Sequence, residues 1–265
     1  MPIELFSVPL YVLAGLVLAA FVAGWVDAVV GGGGLIQLPS LLIGLPEQTP
    51  TPFILGTNKL SSVAGTLTAT LTYARKVAVD LRTAIPIIAF AFGGSATGSS
   101  LARFIPKEWL TPIVLAALIG VGIYTLRKPA LGLVHDQRHS GLAHYARAIA
   151  IGAVVGFYDG ILGPGTGSFF VIGMVALLGY GFLQASLQAK LANLATNVAS
   201  IIVFGIHGEV LWLLGGAMAV ANLSGGYLGA KMAIRHGNGF VRRVFLIVIV
   251  ALVIKLSYDM VRQFS

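Results

Sequence analysis

The feature that most constrains this chain is a helix-breaking glycine run that occurs twice inside long apolar sequence. The first copy is Gly24-Trp25-Val26-Asp27 followed by Gly31–Gly34, and the second is Gly156-Phe157-Tyr158-Asp159 followed by Gly163-Pro164-Gly165-Thr166-Gly167. The copies lie about half a chain apart, and in each an acidic residue precedes the break. Irregular backbone at membrane depth is tolerated only where it is buried in protein or lines a cavity. The two stretches are therefore predicted to form the functional centre.

The composition is typical of a membrane protein. Of the residues, 57% are hydrophobic and 10% are charged, whereas a soluble domain carries about 25% charged residues. So few charges cannot coat a water-exposed surface, which predicts a polytopic membrane protein. We attribute the net charge of +8 to Lys and Arg in short loops that orient the spans, so nucleic acid is not an expected partner. The chain has no cysteine, which excludes disulfides and thiol chemistry.

Long apolar segments recur along the chain. A membrane helix needs about 20 mostly apolar residues, and the two segments that contain the breaks, Leu10–Leu45 and Ala148–Phe182, are too long for one span. Uninterrupted spans are predicted at Phe53–Tyr73, Thr83–Ala102, Trp109–Leu126, Leu183–Ile206, Val210–Ile234 and Phe240–Val261. The predicted fold is an all-α polytopic membrane protein of about eight membrane segments. These segments form two four-segment repeats, each with a broken first helix.

The repeat extends beyond the glycine runs. Lys59-Leu60 recurs as Lys190-Leu191, and Gly94-x-x-x-Gly98 recurs as Gly225-x-x-x-Gly229, which we assign to close helix packing. The first half is predicted at 1–130 and the second at 147–265, with a polar connecting loop at 131–146. Histidines fall in or near this loop: His135, His139 and His144. No acidic or cysteine cluster accompanies them, so they are expected in solvent and not in a metal site.

The charges favour one topology of the broken segments. If each is a hairpin that returns to its own side, most loop cations share one side of the membrane. That side carries Arg75, Lys76, Arg82, Arg127, Lys128, Arg138, Arg147, Lys231, Arg235, Arg242 and Arg243, and the other carries Arg103, Lys107, Lys255 and Arg262. Segments that cross once would divide the charges more evenly. Because positive charge favours the cytoplasm, we prefer hairpins, inverted halves and both termini outside.

Four ionisable residues lie deep in apolar sequence: Asp27, Lys59, Asp159 and Lys190. Charges inside a membrane are costly and usually face a cavity or a partner. In one interpretation, Asp27–Lys59 and Asp159–Lys190 are buried ion pairs that stabilise the structure. In the other, the lysines attract an anion on a transport pathway, and Asp27 or Asp159 carries a coupling proton. The sequence leaves both interpretations open.

Helices that begin after the two breaks favour an anion site. Their first turns carry free backbone N–H groups and the positive end of the helix dipole, and both features attract anions. Polar residues after the breaks add side-chain donors. The candidate substrate-binding residues are Gly31, Gly32, Gly33, Gly34, Asn58, Lys59, Gly163, Gly165, Thr166, Gly167, Lys190, Asn193 and Asn197, with Asp27 and Asp159 as proton-coupling candidates.

The ordered set of motifs resembles the TauE/SafE family of sulfite and organosulfur anion transporters, in particular its YfcA-like bacterial members. The residues that carry the resemblance are Gly24–Gly34, Pro39 and Thr57-Asn58-Lys59-Leu60, then Gly156–Gly160, Gly163–Phe169 and Ala189-Lys190-Leu191. The resemblance covers nearly the whole chain. It implies a multi-pass protein of the bacterial inner membrane that moves small sulfur-containing anions. Ala189 stands where Asn58 does, and Pro164 where Gly32 does, so a shared site would be asymmetric.

These observations predict a secondary transporter of sulfite, sulfonate or organosulfonate anions that works by alternating access. Its expected partners are the anion, the lipid bilayer and a coupling proton or sodium ion, and a homo-oligomer is left open. No cofactor, metal or catalytic residue is predicted, because no nucleophile and base form a set. A passive anion channel and a membrane assembly protein that transports nothing are the alternatives.

Overall fold

The computed structural model describes residues 9–46, 48–104, 119, 123, 126–127 and 141–264. Every regular element in these residues is helical, which confirms the all-α prediction. The predicted span Trp109–Leu126, apart from three of its residues, lies outside the described part, as do His135 and His139.

Both breaks fall at the predicted glycines. In the first half, α1 is Leu10–Val30, α2 is Gly34–Gly44, α3 is Thr51–Ala74, and α4 is Leu81–Leu101, followed by a 3-10 turn at Ala102–Phe104. In the second half, α5 is Gly141–Ile161, α6 is Thr166–Gly173 with a π-helical turn at Met174–Leu178, α7 is Phe182–Ile206, and α8 is Trp212–Phe264. The helical conformation of α8 is interrupted at Gly237, where φ is 69°.

One boundary differs from the prediction. Helix α5 begins at Gly141, inside the predicted connecting loop, so His144 lies on a helix. Its side chain is 5% exposed, and its ring contacts the Thr83 hydroxyl. The expectation that His144 lies in solvent is therefore wrong, because a hydrogen-bonding partner distant in sequence allows the ring to be buried.

Among the residues that the structure describes, three helices are long and apolar enough to cross a membrane by length and composition: α1, α4 and α7. Helices α2 and α6 are shorter apolar helices that follow the breaks. Each packs back along the long helix before it. A Cβ atom on Gly44 of α2 would lie 3.0 Å from the Leu16 side chain of α1, and one on Gly173 of α6 would lie 3.4 Å from the Ile151 side chain of α5. Each broken segment therefore folds as a hairpin.

The hairpins begin at opposite ends of the described helices. The start of α5 meets the α3–α4 loop at the basic end, which we define by Arg75, Lys76, Arg82 and Arg147. The start of α1 packs at the opposite end, which we define by the apolar cluster of Leu16, Leu41, Ile54, Phe204 and Leu211. The two hairpins thus enter the bundle from opposite ends.

Each half packs a long helix against a helix of the other half. Helix α1 lies along α8, and α4 lies along α5. The predicted glycine pairs make these contacts close: a Cβ on Gly225 would lie 1.9 Å from the Phe21 carbonyl oxygen, and one on Gly98 would lie 2.3 Å from that of Phe157. Their assignment to helix packing is confirmed, and the packing is between halves.

Candidate functional site

The two helix breaks touch each other through their backbones. Gly31 has φ 83°, and a Cβ added there would lie 2.1 Å from the carbonyl carbon of Gly167. Ser168 strengthens the contact, since its backbone N–H donates to the Gly31 carbonyl at 3.1 Å and its hydroxyl donates to the Val30 carbonyl at 2.9 Å. A left-handed φ and so close an approach both require glycine. The repeated glycine run therefore holds the halves together at their centre.

Lys59 of the first half pairs with Asp159 of the second. Its Nζ donates to Asp159 Oδ2 at 2.5 Å and to the Asp159 carbonyl oxygen at 2.9 Å. Both side chains are 2% exposed. Asp159 lies in the last turn of α5, where carbonyls lack helical partners and the dipole favours a cation. The Lys59 ammonium is therefore stabilised both by the Asp159 carboxylate and by the C-terminal end of α5.

Lys190 of the second half pairs with Asp27 of the first in the same way. Its Nζ lies 2.8 Å from Asp27 Oδ2 and also donates to the Asp27 carbonyl oxygen. The pairing within each half, Asp27–Lys59 and Asp159–Lys190, is therefore wrong. The pairs cross because the two broken segments meet tip to tip, which brings each lysine to the acid of the other half.

The two ion pairs are not equally buried. The Asp27 side chain is 14% exposed, whereas the Asp159 side chain is 2% exposed. This asymmetry is of the kind that the unequal motifs of the two halves predict. The Asp27–Lys190 pair is therefore the less deeply buried of the two.

A small polar cavity lies between the breaks and the ion pairs. It is lined by Asp27, Gly31, Gly34, Asn58, Lys59, Ser62, Asp159, Gly163, Thr166, Gly167, Asn193 and Asn197. Its volume of about 20 Å³ is room for roughly one water molecule. The arrangement has room for a water molecule but not for an oxyanion, and we call this arrangement the closed state.

Most of the predicted site residues border this cavity, and four do not. Gly32, Gly33, Gly165 and Lys190 are absent from its lining, although Lys190 binds Asp27, which is present. Ser62 also lines the cavity, although it is not among the candidate substrate-binding residues given from the sequence. The register that aligns Lys59 with Lys190 also aligns Ser62 with Asn193, and this signal could have identified it.

The starts of two helices face the cavity. Helix α2 begins at Gly34, and α6 begins at Thr166 and Gly167. The positive ends of both helix dipoles are therefore directed at the same small space. Asn58 adds a buried amide whose oxygen has no hydrogen-bond partner in the part of the chain that the structure describes. A buried unpaired polar group is costly, which favours a ligand or water at this place.

A second polar cluster joins the halves at the basic end. The Thr83 hydroxyl lies 2.7 Å from His144 Nε2, 2.7 Å from the Tyr180 hydroxyl and 3.0 Å from Asp80 Oδ2. Tyr180 also donates to Asp80. Beside the cluster lies a pocket of about 480 Å³ that Lys76 and Gln184 help to line. The cluster was not predicted, because no local pattern brings these four residues together.

Broken helices that meet around a buried polar centre are typical of helical membrane transporters. The chain belongs to the TauE/SafE family: the family described as sulfite exporter TauE/SafE matches residues 16–256. This finding confirms the resemblance seen in the motifs.

Relatives that match nearly the whole chain are also described as probable membrane transporters. The chain is 39% identical over 251 residues to a probable membrane transporter protein, ORF9, of Sinorhizobium sp, covering 94% of each chain. It is 36% identical over 247 residues to a probable membrane transporter protein of Haemophilus influenzae, covering 93% of this chain and 95% of the relative. It is 33% identical over 256 residues to the probable membrane transporter protein YfcA of Escherichia coli K12, covering 97% and 93%.

Proposed function

We propose that the protein is a proton-coupled secondary transporter of small sulfur-containing anions of the sulfite, sulfonate or organosulfonate type. One observation carries the proposal: both helix breaks, Lys59 and both aspartates line one cavity where the halves meet, and Lys190 binds Asp27 beside it. Transporters built from inverted repeats bind substrate and coupling ion at such an interface. The family description of sulfite export supports the substrate class.

The ion pair explains how proton and anion are coupled. In the closed state the Lys190 ammonium is neutralised by Asp27, so an incoming anion competes with a carboxylate that repels it. A proton on Asp27 alone would leave Lys190 buried without a counter-ion, which is also unfavourable. Proton and anion together replace one ion pair with another. Binding of both is therefore more favourable than binding of either.

The helix starts would complete the anion site. The first turns of α2 and α6, with the amides of Asn58 and Asn193, supply hydrogen-bond donors without adding charge. Lys59 is held more firmly, by a carboxylate and a carbonyl at full burial. We assign Lys59 and Asp159 the positioning of the α5 tip, and Lys190 and Asp27 the exchange of ligands.

The size of the cavity supports alternating access. A space of about 20 Å³ has to widen before an oxyanion enters, so the closed state must open to one end of the bundle. A passive channel would need a continuous path. By the distribution of basic residues, the basic end would face the cytoplasm of a bacterial inner membrane.

Transport assays on reconstituted protein test the proposal. Wild-type proteoliposomes are expected to accumulate sulfite or a two-carbon sulfonate against its gradient when a pH gradient is imposed. The Lys190→Gln variant is expected to lose this uptake. Flux that never runs uphill on a pH gradient would favour a channel, and the absence of flux for all anions would favour an assembly protein. Unchanged uptake after replacing both Lys59 and Lys190 with Gln would overturn the anion site.

A further inference from the structure

The two halves form two equivalent helix crossings with different chemistry. Helix α3 crosses α8, and its repeat α7 crosses α4. In the register that aligns the two lysines, Gly65 corresponds to Thr196 and Ala69 to Ser200. On the partner helices, Gly226 corresponds to Ser95, and Ala230 corresponds to Ser99. One crossing is therefore made of glycine and alanine, and the other of hydroxyl residues.

The crossing of α3 and α8 is tight, and its aligned positions carry no hydroxyl groups, although the buried Asn222 amide of α8 lies beside Gly65. A Cβ on Gly226 would lie 2.6 Å from the Gly65 carbonyl oxygen and 2.9 Å from the Gly65 Cα. One turn further along, Ala69 and Ala230 are both fully buried. At these four positions neither helix has a polar side-chain group, and the nearby Asn222 amide donates to the Ala20 carbonyl and to Gln37 rather than to α3. This crossing is suited to staying closed.

The crossing of α4 and α7 is held by hydroxyl groups. Ser95 donates to the Thr196 carbonyl at 2.9 Å, at the position where Gly226 packs on the Gly65 carbonyl in the other half. The Ser200 hydroxyl lies 2.9 Å from that of Ser95 and 2.8 Å from that of Ser99. All three serines are at most 1% exposed. We call Ser95, Ser99 and Ser200 the serine seam.

The serine seam leads from the cavity to the opposite end of the bundle. Asn193 and Asn197 line the cavity, and Ser200 follows Asn193 and Asn197 on the same face of α7. Ser99 lies in the last turn of α4. Beyond them, the apolar residues Ala102 and Phe204 cover the seam at the opposite end. The polar side chains thus form a continuous line between the two places.

Opening this seam would be easier than opening its equivalent. Each serine hydroxyl would exchange a hydrogen bond within the protein for one with water, and such exchanges are nearly balanced. Separating the glycine and alanine crossing would instead expose apolar surface without new hydrogen bonds. The difference lies in the sequence of the two halves, since their helix positions are equivalent.

We propose that the α4–α7 interface is the one that opens, and that Ser95, Ser99 and Ser200 line a hydrated route between the cavity and the opposite end. This inference rests on the proposed transport function and assigns its access path. The α3–α8 interface stays closed in the same step and acts as the fixed side of the movement.

Cysteine labelling tests the route directly, because the chain has no cysteine of its own. Four single variants are compared: S99C and S200C in the seam, and the equivalent A230C and A69C in the other crossing. Each is reacted with a membrane-impermeant maleimide in spheroplasts and in inverted membrane vesicles. We expect the two seam variants to react many-fold faster than their equivalents, and from one side of the membrane only.

Equal rates at the four positions, faster reaction at the alanine positions, or no reaction in the seam would each overturn the inference. Because A69C or A230C could disturb packing, the variant S99A/S200A gives a second measurement. It is expected to slow uptake several-fold while leaving the thermal shift caused by a sulfonate unchanged, and full-speed uptake would contradict the inference. Wild-type uptake is measured in parallel. If the seam cysteines react but the wild-type protein transports no anion, the result contradicts the proposed function and leaves the access route intact.

Discussion

Lys190 Nζ and Asp27 Oδ2 lie 2.8 Å apart, although the two residues belong to different halves of the chain. The Asp27 side chain keeps 14% exposure, and the lysine 1%. Lys59 and Asp159 likewise pair across the two halves, and both of their side chains are 2% exposed. The two pairs therefore differ in how deeply their carboxylates are buried.

The first prediction concerns the accessible acid. The Asp27→Asn variant cannot take up a proton, so uptake should lose its dependence on an imposed pH gradient. Exchange of anion across the membrane should persist, because Lys190 is no longer opposed by a carboxylate. Proteoliposomes loaded with unlabelled anion measure exchange, and empty proteoliposomes with a pH gradient measure coupled uptake. Coupled uptake equal to wild type would rule out Asp27 as the proton site.

The second prediction concerns the sealed pair. Removing one member of a buried ion pair costs about 3–5 kcal/mol, so Lys59→Met should lower the free energy of unfolding by an amount of this order. The double variant Lys59→Met with Asp159→Leu should regain most of the loss, because no unpaired charge then remains. Thermal unfolding in detergent measures both. A double variant as unstable as the sum of the two single variants would show that the residues do not act as a pair.

The third prediction concerns the meeting point of the breaks. A methyl group on Gly31 would overlap Gly167 and would also be strained by φ 83°, so Gly31→Ala should unfold or inactivate the protein. Gly216→Ala is the matched control, since Gly216 is helical and nothing lies within 4 Å of an added Cβ. That control should be neutral or more stable by about 0.5–1 kcal/mol. Gel filtration and uptake compare the two variants, and a fully active Gly31→Ala would be incompatible with this contact.

The fourth prediction concerns the polar cluster at the basic end. Thr83→Val keeps the shape of the side chain but removes the hydroxyl that contacts His144 and Tyr180. Leaving buried polar groups unpaired costs about 1–3 kcal/mol, so the melting temperature should fall. Thr97→Val is the control, because the Thr97 hydroxyl is exposed and bonds only the Gly93 carbonyl among the described residues. Equal melting temperatures for the two variants would remove the cluster as a link between the halves.

Much of the fold could be predicted because it depends on local physics. Clustered glycine and proline residues interrupt a helix, and inside a membrane the interrupted backbone must be buried in protein or line a cavity. The breaks at Gly31 and Gly163 could therefore be predicted from the sequence. The alignment of the two halves then predicted that α3 corresponds to α7 and that α4 corresponds to the first part of α8. Most of the cavity lining could be predicted from the sequence, because the helix starts after the breaks and the charged residues in apolar sequence are recognisable there.

The partners of the charges could not be predicted in this way. Whether Lys59 meets Asp27 or Asp159 depends on how the broken segments cross, and no local pattern encodes that crossing. His144 was misplaced for a related reason, since a polar residue near a loop is buried only if a distant group such as Thr83 receives it. Contacts between residues about a hundred positions apart are decided by packing of whole helices.

The exchange of ion pairs between halves has a consequence for biosynthesis. When α1 and α3 enter the membrane, Asp27 and Lys59 are present, but Lys190 and Asp159 have not yet been made. The first half is therefore inserted before either of its buried charges has the partner that it binds in the folded protein, because those partners belong to α5 and α7. Formation of the native ion pairs thus requires the second half, so assembly of this protein is a late step that joins two individually unfinished pieces.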